Sequence, residues 1–193
     1  VYPYDVSNAC AGTSVTMTIP SVQEALEDSF ANGLNPAVAK SLGLAFSFYN
    51  VGSWFCFTVA QSGITSATLK GNGGESLSGK VGVAMGSDDR PVCTVVNGVD
   101  HITMNAPEGG FVPGREYRMV LIPQTLESGY SLTLQKGNAY ATYSNNNSLQ
   151  FARNGGRGKL NVDNGLAFSG NISFYDGFGK QLCVAKWDRD NDG

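Results

Sequence analysis

Charge is scarce in this chain. Asp, Glu, Lys and Arg make up 15% of it, against about 25% in soluble proteins at large. The 13 Lys and Arg are scattered and the formal net charge is −3. Without a basic block or stripe, nucleic acid is not an expected partner. The single His, His101, leaves few routes to a His-based active site or a His-rich metal site. No apolar run approaches the roughly 18 residues of a membrane helix, so the chain is read as not membrane-spanning. The four cysteines, Cys10, Cys56, Cys93 and Cys183, are too far apart for a zinc knuckle or a C-x-x-C redox pair, and sequence does not choose a disulfide pairing. Small buried thiols are the simpler reading, because free Cys is commonly buried.

Turn formers are abundant instead, with 25 Gly and 16 Asn. Hydrophobic residues reach 41%, enough for a core. Together these favour many short strands joined by tight turns over a helical bundle. Val15, Met17 and Ile19 alternate with polar neighbours up to Pro20, the pattern of a half-buried strand. Ser21-Val-Gln-Glu24 reads formally as a capping box, with a short helix over 22–30 or an irregular crossing loop as its two readings. Leu42, Leu44, Phe46 and Phe48 alternate cleanly and predict another strand. Residues 54–60 are apolar on both faces, as in a central strand. Further strands are expected at 64–69, 80–85, 91–97, 99–104, 116–122, 129–135, 139–143 and 148–152, with turns at Gly71-Asn-Gly-Gly74 and 145–147. About ten strands at such spacing suggest a β-sandwich.

After Asn164 the pattern changes. Phe174, Phe178, Leu182 and Ala185 fall on one face of a helix, although Gly177 and Gly179 also suit a hairpin. The segment 165–193 is therefore read as the start of a following module. Asp188, Asp190 and Asp192, followed by Gly193, form the first half of a D-x-D-x-D-G calcium loop, in which alternating carboxylates supply hard oxygen ligands. The remaining ligands would lie beyond Gly193, so the motif reads as a calcium site of a longer chain. The truncated motif and the opening on Val1 both read as a segment of a longer protein.

Several stretches resemble the fimbrillin-like surface proteins, the pilus-subunit and adhesin lipoproteins of Gram-negative anaerobes. Gly114-Arg-Glu-Tyr117-Arg-Met-Val-Leu-Ile-Pro123-Gln124-Thr-Leu is similar to the family's Tyr-to-Pro-Gln-Thr strand. Gly129-Tyr-Ser-Leu-Thr-Leu134 is similar to the strand that follows it. Residues 64–81, through Gly71-Asn-Gly-Gly74 and Gly79-Lys-Val81, resemble a family hairpin, and Val1-Tyr2-Pro3-Tyr4 resembles the close of the first strand group. The resemblance runs in order over residues 1–162. It implies an all-β, antiparallel two-sheet sandwich of transthyretin-like type over 1–164, N-terminally incomplete. It further implies a place on the outer surface or in a fimbrium, anchored at the outer membrane in the full-length protein, and a role in adhesion or fimbrial structure. The family's earlier strands are missing here, and Cys10 lies inside the domain rather than at a lipid-attachment position. The tail resembles the linker before leucine-rich repeats in related surface proteins, which suggests a spacer module.

Catalysis is not expected. A Ser-His-Asp set would need His101, whose neighbour Asp100 would point to the opposite face of a strand. Cys93 could meet His101 only through a hairpin, and no Gly-x-Ser-x-Gly elbow is present. Gly71–Gly74 and Arg153–Gly158 lack the following helix of a phosphate loop and read as turns. Tyr49, Trp54, Tyr130, Tyr140 and Tyr143 could stack on sugars, which makes a carbohydrate-binding module the second functional reading. Trp54 is expected in the core, and Tyr140 and Tyr143 on opposite faces. The leading reading is a non-enzymatic surface module. Its partners would be other surface or pilus subunits held by strand addition at an open edge, or a host or glycan ligand.

Overall fold

A computed structural model describes residues 9–11, 13–41, 43–175 and 181–188, with side chains over 13–41 and 43–170. In chain order the strands are β1 (Ala9–Ala11), β2 (Ser14–Ile19), β3 (Val22–Leu26), β4 (Ser29–Phe30), β5 (Ala37–Val38), β6 (Tyr49–Asn50), β7 (Ser53–Phe57), β8 (Ser66–Gly71), β9 (Ser78–Met85) and β10 (Pro91–Val99). They continue with β11 (His101–Asn105), β12 (Tyr117–Leu121), β13 (Gln124–Leu126), β14 (Tyr130–Lys136), β15 (Ala139–Asn145), β16 (Leu149–Phe151), β17 (Gly156–Lys159), β18 (Ser169–Tyr175) and β19 (Gln181–Asp188). The protein is all-β and sandwich-like, with no helix among the described residues.

An eight-stranded sheet runs β19-β18-β15-β14-β8-β11-β3-β4, a four-stranded sheet runs β1-β2-β9-β10, and a three-stranded sheet runs β12-β7-β17. Pairing is antiparallel except for β11 with β3 and β17 with β7. The chain passes between the four- and eight-stranded sheets at three short joints: Pro20 after β2, the Gly71–Gly74 turn after β8, and Asp100 after β10.

Two apolar clusters hold the layers together. In the larger, Phe55, Phe57, Tyr117, Met119 and Leu121 meet Ala67, Leu69, Ile102, Leu132 and Leu134 of the eight-stranded sheet. In the smaller, Val15, Met17, Ile19, Val81 and Val83 meet Leu34, Val38, Val51, Val120 and Ile122. β12 thus feeds both clusters: alternation sends Tyr117, Met119 and Leu121 one way and Val120 the other. The aromatic knot packs edge to face, with Phe111 and Tyr117 centroids 4.7 Å apart and Phe55 and Tyr130 5.1 Å apart. Such pairs add about 1 kcal/mol beyond their burial.

The motifs that carry the family resemblance act as folding devices. The buried Tyr117 hydroxyl accepts the Val112 amide at 2.8 Å, pinning the loop before β12. Gln124 donates through Nε2 to the Ser76 carbonyl at 2.6 Å. Gly79 has φ +110°, and a Cβ there would overlap the Asn97 carbonyl oxygen on the neighbouring β10. Asn72 closes the β8–β9 turn by donating to the Ser128 carbonyl at 3.1 Å.

Three expectations change. Residues 22–30 form β3 and β4 rather than a helix, because Thr103-Met-Asn105 offers Val22-Gln-Glu24 a parallel ladder. The formal cap is worth about 1 kcal/mol and does not compete with that ladder. Residues 43–48 have the strand period but no ladder, and Leu44, Phe46 and Phe48 are exposed; Leu42 lies outside the described residues. In place of a C-terminal helix, β18 and β19 pair as an antiparallel hairpin, and β18 extends the main sheet beside β15. Phe174, Leu182 and Ala185 therefore lie in strands, while Phe178, Gly177 and Gly179 fall outside the described residues.

Candidate functional site

The chemistry-bearing side chains of the sequence do not converge. His101 opens β11, and Asp100 occupies the bend where the chain leaves the four-stranded sheet. The strand-alternation expectation fails at that bend, and Asp100 Oδ1 lies 2.9 Å from His101 Nδ1. Lys70 Nζ holds the other oxygen at 2.8 Å. The Lys70 hydrogen bond, and after it that of His101, pushes the Asp100 carboxyl down to about 2. Ser78 Oγ is spent on the His101 carbonyl at 2.8 Å. No hydroxyl or thiol partners the imidazole among the described residues, so this trio is an exposed ion-pair joint. Cys93 lies in the other sheet, where its thiol contacts the Val51 carbonyl at 3.7 Å.

Cys56 and Cys93 are unpaired and half-buried. Burial raises both thiols, Cys93 to about 11, so neither is a ready thiolate at neutral pH. The side chains of Cys10 and Cys183 lie outside the described side chains. Asp188 ends β19, while Asp190 and Asp192, and with them the half calcium loop, lie outside the described residues. The one fully buried carboxylate among the described residues, Asp163, accepts the Ala60 and Gln61 amides at 2.6 and 2.8 Å and is spent there.

The ring candidates scatter too. Tyr130 is in the core, and Tyr143 leans on it with centroids 6.1 Å apart. Arg90 covers Tyr49 at 4.1 Å. Trp54 is half-buried, edge-on to Phe30 at 5.5 Å, and lies over Gly156, where a Cβ would overlap its ring. Of the five only Tyr140 is exposed, on the face opposite Tyr143 as expected.

The edges of the sheets are more informative. β12 is the terminal strand of its sheet, and outward backbone groups at Val120, and at Glu116 just before the strand, are capped from β3 and the turn after it. Gln23, 1% exposed, donates to the Val120 carbonyl at 2.7 Å and accepts the Val120 amide at 2.9 Å. Its side-chain amide thus takes the place of a neighbouring peptide group. Asp28 does the same at Glu116: its own amide donates to the Glu116 carbonyl at 2.7 Å, and its carboxylate accepts the Glu116 amide at 3.2 Å. Arg115 clamps that carboxylate at 3.0 Å. One step past the strand, the Ile122 amide donates to the Leu77 carbonyl at 2.9 Å.

β10 is also a terminal strand, and among the described residues nothing ladders its outer side. It is nine residues long and uncharged from Pro91 to Val99. Val92, Val95 and Val96 are 56%, 44% and 61% exposed. Val95 stands opposite the buried Val81, and Cys93 opposite Val83, so Val95 faces the core side of the sheet yet remains uncovered. A register shift between Val95 and Asn97 bulges the strand. Long, apolar, uncharged edges are what natural sheets normally avoid or cover. No sequence signal separated β10 from β12: both read as ordinary strands, and the caps on β12 come from residues about a hundred positions away.

No family model matches the chain, and no curated protein matches it. Among solved structures it is similar to a proposed cell adhesion protein from Bacteroides ovatus ATCC 8483, at 11% identity and a TM-score of 0.44, over 90% of this chain and 67% of that one. No described helix is long and apolar enough to cross a membrane.

Proposed function

We propose that the chain is a non-enzymatic β-sandwich module of a cell-surface adhesion or fimbrial protein, engaging its partner by strand addition along β10. The observation that carries this is the outer edge of β10, uncharged over nine residues and unladdered among the described ones. An incoming strand would satisfy its free backbone groups and cover Val95. The motif resemblance supports a surface location, with a spacer role in a longer chain and calcium at Asp188, Asp190 and Asp192 as parts of the same reading. A carbohydrate-binding module is the weaker alternative, since Tyr140 alone of its candidate rings is exposed.

The test is attachment and clustering of particles displaying the chain. Val92→Lys with Val96→Lys places charge on the edge, as natural sheets do to block pairing. Loss of attachment with an unchanged circular dichroism spectrum supports the reading. Unchanged attachment removes β10 from it. Inhibition by free sugars and not by the lysines would favour the glycan alternative.

A further inference from the structure

The strand-patterned segment 43–48, which joins no described ladder, springs from a base held against the start of β10, whose outer side carries no strand among the described residues. β5 and β6 pair over two residues, Ala37 with Asn50 and Val38 with Tyr49, and close the base of the 39–48 excursion. The Ser41 hydroxyl shapes that excursion, accepting the Gly43 amide at 3.1 Å. Beyond it Leu44 is 101% exposed and Phe46 61%. The excursion is fixed to the start of β10 by three contacts: Lys40 to Asp89 at 3.7 Å, Arg90 over the Tyr49 ring, and the Cys93 thiol at the Val51 carbonyl.

Building on the strand-addition reading of β10, we propose that the partner strand is residues 43–48 of a second copy of this chain. The contact is reciprocal about a two-fold axis: the segment of each copy lies along β10 of the other. Three observations favour a second copy over a foreign strand. The two halves belong to one molecule, and the base of one is held to the start of the other by the three contacts above, so an isologous contact uses both. A foreign strand would cover Val95 and leave Leu44 and Phe46 in water. Neither 41–52 nor 91–99 contains a charged residue, while the flanks carry both signs, Lys40 and Arg90 with Asp88 and Asp89, so two copies meet without like-charge repulsion. Alternation then sets the roles: Leu44 and Phe46 share one face of the added strand and cover the core-side groove at Val95, and the intervening Ala45 faces outward.

The experiment is light scattering after size exclusion on the full 193-residue chain at micromolar concentrations. Three samples are run: wild type, Phe46→Lys as the broken donor, and Val95→Lys as the broken acceptor. Both substitutions are at exposed positions, and thermal melts check that each variant is folded. The expected result is a wild type of twice the chain mass and two monomeric variants. Mixing the variants then restores a dimer, because one donor and one acceptor remain intact between them. A monomeric wild type overturns the proposal, while strand addition to another protein still stands or falls by the display assay. A dimer lost with Val95→Lys but kept with Phe46→Lys also overturns it, pointing to edge-to-edge pairing of β10 and leaving the strand-addition reading in place. A dimer that survives both substitutions removes β10 from self-association altogether.

Discussion

β12 and β10 end their sheets in opposite ways. Both are apolar strands whose outer backbone groups need partners. At β12 those partners are a buried glutamine and a clamped aspartate, two side chains standing in for a strand. At β10 there is no such substitute among the described residues, and a core-facing valine stays in water. Among the described residues, this fold closes the β12 edge with single side chains and does not do so at β10. Edge protection is a property of particular side chains, not of the sandwich.

Opening the closed edge should have the largest effect. Gln23→Leu removes both partners of Val120 inside the protein, and two orphaned buried groups cost about 3 kcal/mol together. The expected outcome is a lower urea midpoint at unchanged slope, with new self-association through β12. Next comes Gly79→Ala, which forces a Cβ at φ +110° into the Asn97 carbonyl. A loss of about 2 kcal/mol is expected in the same titration, together with disturbed amide signals along β10. Tyr117→Phe deletes the acceptor of the Val112 amide at the root of β12. It should lower stability by about 1 kcal/mol while leaving self-association unchanged. The smallest effect concerns the joint at the end of β10. The Asp100 carboxyl is lowered to about 2 in the folded protein, against about 3.9 unfolded. Its contribution is therefore present above pH 4 and lost as pH falls from about 4 toward 2. Asp100→Asn should lower stability slightly above pH 4 and leave no difference by about pH 2, which flattens the acid limb of a stability-against-pH curve in that window; the step is small, as expected for an exposed ion pair.

Much of the strand pattern was legible in the sequence because burial on one face writes period-two alternation directly into it, as in Val15-Thr-Met17-Thr-Ile19. The same rule misread Leu44-Ala-Phe46, since alternation reports what a segment could pair with, not whether a ladder forms. Ser21-Val-Gln-Glu24 misled in the other direction. Its local signal is a helix cap, while the interaction that places it is a ladder to Thr103-Met-Asn105, far along the chain. Phe174, Leu182 and Ala185 fit a helical stripe as well as a hairpin, and the glycines between them were the better guide. At the candidate site, the neighbours Asp100 and His101 were set apart by a rule that holds inside strands and not at a bend between sheets. Nothing local marks Gln23 as a cap, because its partner is 97 residues away.

The Gln23 clasp also makes Val120 a natural reporter. Its amide proton is retained by a side chain of β3, a strand that is itself laddered to β11 in the opposite layer. Exchange of that one proton with solvent therefore requires β3 to lift, while the β7-facing amides of β12 can stay protected by their own ladder. The ratio of the two exchange rates measures how often the N-terminal strands part from the sandwich in the otherwise folded protein.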